Sequence, residues 1–119
     1  MRRARFVAAA RREFLAQVAF YEKEEPGLGA RFSLEVEDAT ARAVAYPLSG
    51  SPTSKNARRI LVKDFPFSVV YRPTDDGVTV LAVAHNSRYP DYWLPRVQDA
   101  DELAYVAIAT ARFEAERFS

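Results

Sequence analysis

The chain of 119 residues has no cysteine and only one histidine, and these two features exclude several kinds of site. Without cysteine there can be no disulfide framework and no thiolate metal site, as is common for cytoplasmic proteins. One imidazole alone cannot build a zinc site of the usual histidine and cysteine type, so we expect no bound metal. We expect no cofactor either, since the glycine-containing stretch PGLG (26–29) is typical of a helix–helix turn and not of a phosphate-binding loop.

Long apolar runs are also missing. No stretch approaches the roughly 18 residues that a membrane-spanning helix needs. The N-terminus, MRRARFVAAARREF, is basic but lacks the apolar segment of a secretory signal peptide. We therefore expect a cytoplasmic protein with no membrane partner.

Charge is nearly balanced overall but unevenly distributed along the chain. The net charge is +1, yet the segment 55–96 has seven basic and four acidic residues, and the rest has ten basic and twelve acidic. Such an imbalance favours an anionic partner at the central segment. Ordinary solvated arginines on the surface explain it equally well.

Two helices are predicted in the first half of the chain. Over 8–25 and 28–46, apolar residues recur at spacings of three and four, which is typical of amphipathic helices. Pro26 and Pro47 end these helices, and the short turn between them predicts an antiparallel hairpin with a shared apolar seam that includes Tyr21 and Tyr46.

Strands are predicted in the second half. After a turn-rich loop over 47–57 come the alternating segments 58–63 and 65–72 and the continuous β-branched segment 78–85, which is typical of a central strand. Short connections predict an antiparallel meander. A weaker strand pattern covers 3–7, and together these elements indicate a single α+β domain.

The residues richest in chemistry cluster where the last strand ends. AVAHNSRYPDYW (82–93) contains the only histidine, His85, and the only tryptophan, Trp93, with Arg88 and Tyr92 between them. A histidine can serve as an acid or base because imidazole titrates near neutral pH, or it can order the turn that follows the strand. The aromatic side chains can close the core at the sheet edge or stack on bases.

The order and wording of these segments resemble the RelE/ParE superfamily of toxins from type II toxin–antitoxin systems, and within it the ParE-like, plasmid-stabilisation branch. The matching segments are YEKEEPGLGARF (21–32), YP (46–47), ARRILVKDFPFSVVYR (57–72) and VLAVAHNSRYPDYWLPR (80–96). The resemblance implies a toxin domain over 1–96, with an N-terminal αα-hairpin packed on a small curved antiparallel β-sheet. It also implies a cognate antitoxin that covers the toxin surface, and a homodimer is possible.

The resemblance offers two activities. ParE-like members inhibit DNA gyrase, whereas RelE-like members cut messenger RNA on the ribosome. A third hypothesis is a toxin-fold protein without activity that serves only as an interaction module.

The resemblance, which places Arg59 and Arg88 at or near basic family positions, and the chemistry of the strand exit together give candidate sites. For a ribonuclease the catalytic candidates are Arg59, His85 and Arg88, and for target binding they are Arg59, His85, Arg88, Tyr92 and Trp93. Ser68 occupies a position where RelE-type nucleases have an arginine, and Trp93 one where they have a tyrosine. Neighbours on a strand point to opposite faces, so only one of Arg58 and Arg59 can join a sheet-face site, and we expect the other to pair with an acid.

The segment 97–119 extends past the usual end of such toxins. Its pattern predicts a helix over 99–117, with Leu103, Val106, Ile108 and Phe113 in need of cover. It either completes the core or packs over the surface that an antitoxin would use.

Overall fold

The computed structural model describes residues 2–97, and these form two helices on one side of a five-stranded sheet. The helices are α1 (Ala8–Glu24) and α2 (Leu28–Ala45). The strands are β1 (Arg3–Phe6), β2 (Ser51–Pro52), β3 (Arg58–Leu61), β4 (Phe67–Thr74) and β5 (Gly77–His85). The predicted α+β class, the hairpin and the main strands are confirmed, each within a few residues. The predicted helix over 99–117 lies outside the described residues.

The helical hairpin turns sharply at Pro26. Glu25, which precedes it, is extended, as the residue before a proline prefers to be. Gly27 then adopts a left-handed φ of 90°, and both carboxylate oxygens of Glu22 accept backbone N–H bonds at the start of α2, from Gly27 at 2.8 Å and Gly29 at 3.0 Å. These bonds satisfy donors that the first turn of a helix leaves free.

The sheet is mixed, because β1 joins it in parallel. The strand order is β1-β5-β4-β3-β2, and all pairs except β1 with β5 are antiparallel. The short edge strand β2 lies within the predicted loop 47–57. The antiparallel meander β3-β4-β5 is the predicted one, and β5 is buried along almost its whole length, as its continuous apolar sequence indicates.

The core lies between the hairpin and the sheet and is built largely from aromatic rings. The ring of Phe32 on α2 lies 5.1 Å from the ring of Phe67 on β4 and 5.2 Å from that of Tyr21 on α1. Tyr21 therefore belongs to the shared seam, as predicted. The prediction for Tyr46 is wrong, since its side chain is 70% exposed where α2 has already ended.

The prediction that Arg58 pairs with an acid is also wrong. Its guanidinium donates to the backbone carbonyls of Leu48 (3.0 Å) and Gly50 (2.9 Å), and not to an acid. The loop after α2 passes close to β3 and offers carbonyl oxygens that would otherwise lack donors. Neither α1 nor α2 has the length and apolar composition of a membrane-spanning helix.

Candidate functional site at the end of strand β5

All five predicted target-binding residues line one cleft of about 120 Å³. The cleft lies where β5 ends and the chain turns back across the sheet edge. Its lining includes Arg59, Ser68, Val70, Ala84, His85, Asn86, Arg88, Tyr92 and Trp93. The fold therefore brings together side chains that are up to 34 positions apart in the sequence, from Arg59 to Trp93.

The strand register places this cleft on the sheet face that points away from the helices. Phe67 packs against α2, so its neighbour Ser68 points to the other face. Ser68 pairs with Ala84, and Arg59 pairs with Val70, so these residues share that face. Arg59 is thus the arginine of the Arg58–Arg59 pair that reaches the cleft.

Ser68 forms part of the floor and is almost completely buried, with 2% of its surface exposed. Its hydroxyl donates to Oδ1 of Asn86 at 2.6 Å, and the backbone N–H of Asn86 donates to the carbonyl of Pro66 at 2.8 Å. This pair ties the turn after β5 to the start of β4. An arginine could not occupy the same space without displacing the floor.

His85 has a structural role and also lines the cleft. Its ring packs edge-on against Phe67, with centroids 5.1 Å apart. Nδ1 accepts the backbone N–H of Ser87 at 3.0 Å and lies 2.7 Å from the Ser87 hydroxyl. An accepting Nδ1 places the proton of a neutral imidazole on Nε2, which is then the nitrogen available to a ligand.

Arg88 is held over the ring of Tyr92. The guanidinium carbon lies 3.8 Å from the ring centroid, and Arg96 lies 5.0 Å from the same centroid. Stacking on an aromatic face is a favourable arrangement for a guanidinium and leaves its N–H groups free to bind an anion. Among residues 2–97, neither Arg59 nor Arg88 is within ion-pair distance of a carboxylate.

Glu13 organises the cleft wall from α1, and the sequence did not single it out. Its carboxylate accepts from the Tyr92 hydroxyl at 2.6 Å, from both terminal nitrogens of Arg96 at 2.8 and 2.9 Å, and from the Val83 backbone N–H at 3.1 Å. Arg96 also donates to the Leu81 carbonyl at 3.0 Å. Glu13 and Arg96 thereby satisfy the edge of β5 just beyond the point where its pairing with β1 ends.

The same network changes the acidity of Tyr92. Burial, followed by the hydrogen bond and the negative charge of Glu13, raises the pKa of the Tyr92 phenol well above its ordinary value of about 10. Tyr92 therefore keeps its proton and donates it in a hydrogen bond to Glu13, while its ring stacks under the guanidinium of Arg88. No sequence signal distinguished Glu13 from the other charged residues of α1, because its partner Arg96 is 83 positions away.

Trp93 contributes mainly to packing. It is 4% exposed and belongs to the buried core. Only its cleft-facing edge can contact a ligand, and an indole N–H can donate but cannot act as an acid or base at neutral pH.

The cleft has the chemistry of a binding surface for an anionic or polar partner. Arg59, Arg88 and His85 provide donors, whereas Asp91 lies at the rim and accepts from the Ser54 hydroxyl at 3.0 Å. No group of three metal-ligating side chains that could hold an ion occurs in the described part of the chain.

Comparison with known proteins agrees with this architecture. Residues 4–90 match the family model described as the ParE toxin of type II toxin–antitoxin system, parDE. Toxin ParE2 from two Mycobacterium tuberculosis strains, CDC 1551 and H37Rv, is 33% identical over 60 residues, which is 50% of this chain and 57% of each relative. The chain thus matches little more than half the length of these curated relatives.

A solved structure supports the fold. A chain from the structure described as the chromosomal ParDE TA system from P. aeruginosa superposes with a TM-score of 0.62 at 17% identity, covering 71% of this chain and 96% of that one. Similarity at this level of identity reflects shared architecture. Since the family model spans most of the described domain, the chain belongs to the ParE toxin family of type II toxin–antitoxin systems.

Proposed function

We propose that this chain is the toxin of a type II toxin–antitoxin pair, that it inhibits DNA gyrase, and that a cognate antitoxin neutralises it by direct binding. Such a protein acts in the cytoplasm, where its target is. Family membership supports the toxin assignment, and the cleft at the end of β5 is the surface that we assign to the target.

The burial of Ser68 and its hydrogen bond to Asn86 favour binding of a target over cleavage of RNA. Metal-independent RNA cleavage needs several cations around the phosphorane and an acid for the leaving oxygen. At the position where RelE-type nucleases carry an arginine, this chain has a buried serine committed to Asn86. Where those nucleases carry a tyrosine, it has the buried Trp93, so the cleft lacks two of the groups that cleavage requires.

A RelE-like ribosome-dependent endoribonuclease is the second candidate. The observation in its favour is that His85, Arg59 and Arg88 line one cleft. An imidazole can serve as an acid or base in catalysis, and the two arginines can stabilise a phosphate.

Expression without an antitoxin tests the proposal. We expect growth arrest on induction of the chain, relief on co-expression of a cognate antitoxin, and loss of negative supercoiling in a reporter plasmid. Arrest with intact supercoiling and new 5′ ends in messenger RNA would instead identify the nuclease. Normal growth despite accumulation of folded protein would exclude both toxin activities and leave an interaction module.

Single-residue variants test which cleft side chains a nuclease would depend on. If the protein is a nuclease, Arg59→Ala and Arg88→Ala should each reduce cleavage by about 10²–10³, the usual effect of removing one preorganised donor. Arg42→Ala is the control, because Arg42 is exposed on α2 and pairs with Asp38 one turn away. Cleavage that survives in both cleft variants would contradict the residue assignment.

A further inference from the structure

The cleft at the end of β5 holds two arginines that no acidic side chain of the described domain neutralises. Arg59 on β3 and Arg88 after β5 are both exposed, and within residues 2–97 neither lies within ion-pair distance of a carboxylate. Like charges that line one cleft repel each other, and an anion bound between them offsets that repulsion. The two arginines therefore indicate the charge of a ligand for this cleft.

The size of the cleft fits a single anionic group. Its volume of about 120 Å³ is below the roughly 300–1,000 Å³ of pockets that enclose a drug-sized ligand. A whole nucleotide is too large for such a cleft, whereas the end of one acidic side chain is not. The planar fork of a guanidinium matches the two oxygens of a carboxylate, and stacking on Tyr92 holds the Arg88 guanidinium in place for such a contact.

Apolar side chains flank the two cations. Tyr89 also lines the cleft, and its side chain is 72% exposed. Leu61 pairs with the floor residue Ser68, so it lies on the same face of the sheet as the cleft, and it is 59% exposed. Arginine beside tyrosine and other apolar residues is typical of protein–protein interfaces, in which a few such side chains carry most of the binding energy.

The backbone of a nucleic acid fits this surface less well. Asp91 lies at the rim, where its charge would repel a second phosphate of the same strand. The net charge of the chain is only +1, whereas nucleic-acid binding typically relies on a strongly basic surface that neutralises several phosphates. These charges favour an isolated carboxylate on a protein over a chain of phosphates.

We propose that the cleft binds the carboxylate of one aspartate or glutamate of the protein target between Arg59 and Arg88, and that Leu61 and Tyr89 pack on apolar residues beside that acid. This inference rests on the proposed function, because it takes the target to be a protein, and it adds the chemistry by which the target is recognised. The cleft distinguishes glutamate from glutamine, since an amide carries no charge to offset two guanidinium groups.

A titration with short peptides tests this chemistry in the absence of gyrase. The probe is an acetylated and amidated tripeptide with glutamate between two leucines, and the control peptide has glutamine in place of the glutamate. Binding is followed by nuclear magnetic resonance through the arginine Nε–Hε signals of the isotopically labelled protein. We expect the signals of Arg59 and Arg88 to shift with the glutamate peptide, which should bind at least about tenfold more tightly than the control. Equal affinity for the two peptides would overturn the proposal.

Variants of the cleft assign this preference to its residues. In Arg59→Ala/Arg88→Ala the preference for glutamate over glutamine should disappear. In Leu61→Ser both peptides should bind about threefold more weakly, since only apolar contact is lost. Arg12→Ala and Leu34→Ser alter exposed side chains of the two helices, so they are the matched controls and should behave as the parent. A preference that survives in the double variant would contradict the assignment to these two arginines.

A short single-stranded RNA oligonucleotide is the competing probe. If it binds at the two arginines more tightly than the glutamate peptide, the ligand is a phosphate and the carboxylate proposal fails. The outcome for gyrase is separate. Glutamate-selective binding without inhibition of supercoiling would refute gyrase as the target and support the carboxylate site, whereas inhibition of supercoiling without glutamate selectivity would do the reverse.

Discussion

At the scale of single residues, the cleft depends on one carboxylate that does not face it. Glu13 fixes the Tyr92 hydroxyl, and the Tyr92 ring supports the guanidinium of Arg88. The guanidinium of Arg88, which lines the cleft, is therefore positioned by a residue from another layer of the fold. Among the cleft side chains, Arg88 owes its place to this support.

The raised pKa of Tyr92 gives a pH-dependent contribution to stability. The phenol keeps its proton in the folded state at pH values where the unfolded chain would lose it, so folding is favoured fully below about pH 10 and progressively less above it. We expect the melting temperature to fall more steeply between about pH 9 and pH 11 in the parent than in Tyr92→Phe, by a few degrees.

Thermal unfolding followed by circular dichroism checks this expectation. Tyr89→Phe is the control, because the side chain of Tyr89 is 72% exposed. Identical pH slopes for the parent and Tyr92→Phe would show that the Tyr92 proton is not linked to folding.

The residues that line the cleft could be predicted from the sequence, whereas the residues that position them could not. His85, Arg88 and Trp93 are conspicuous because they are rare or clustered, and strand alternation places Arg59 with them. Glu13 looks like any charged residue of an amphipathic helix. Its role arises from a contact across 83 positions, which local periodicity does not encode.

At the scale of elements, the two glycines of the hairpin serve different purposes. Gly27 has a left-handed φ of 90° with open space around it, whereas Gly29 lets the helices approach so closely that a Cβ would lie 2.5 Å from the Val18 carbonyl oxygen. Gly27→Ala should cost about 1–2 kcal/mol from backbone strain alone. Gly29→Ala should cost more, about 2–3 kcal/mol, because backbone must move.

Urea unfolding measures the free energy of unfolding of both variants and shows which substitution costs more. Ala41→Ser, at an exposed position of α2, is the reference for a neutral substitution. A smaller loss for Gly29→Ala than for Gly27→Ala would mean that the two helices can separate at little cost.

The ion pair of Glu13 and Arg96 joins three elements, namely α1, β5 and the segment after β5. Both side chains are about one-fifth exposed, at 19% and 20%. Glu13→Gln leaves a largely buried guanidinium without its carboxylate, so we expect a loss of about 2–4 kcal/mol. Asp38→Asn removes an exposed ion pair and should cost under about 0.5 kcal/mol. Equal losses in urea unfolding would contradict a structural role for this pair.

Sequence periodicity predicted the helices and the central strands of the sheet, but it did not predict the pairing of the edge strands. The repeats of three and four residues and the proline stops predicted α1 and α2, and the β-branched run predicted β5. The parallel pairing of β1 and the presence of β2 depend on which sheet edge is free once the chain has folded. A four-residue and a two-residue strand carry too little pattern to show that.

In the molecule as a whole, the two faces of the sheet have different environments. The helical side contains the aromatic core, and the opposite side contains the cleft with Arg59 and Arg88. The net positive segment 55–96 contributes both arginines. Charge imbalance alone did not distinguish a binding surface from solvated arginines, and the folded geometry supports binding because it gathers the cations in one cleft.

We propose that this cleft binds gyrase, and a supercoiling assay with the purified protein is the decisive experiment. We expect the protein to inhibit supercoiling of relaxed plasmid, and Arg59→Ala/Arg88→Ala to need at least about tenfold more protein for the same inhibition, since two cationic contacts are lost. Arg42→Ala should match the parent. Supercoiling that proceeds unchanged at saturating concentrations of folded parent protein would show that gyrase is not the target.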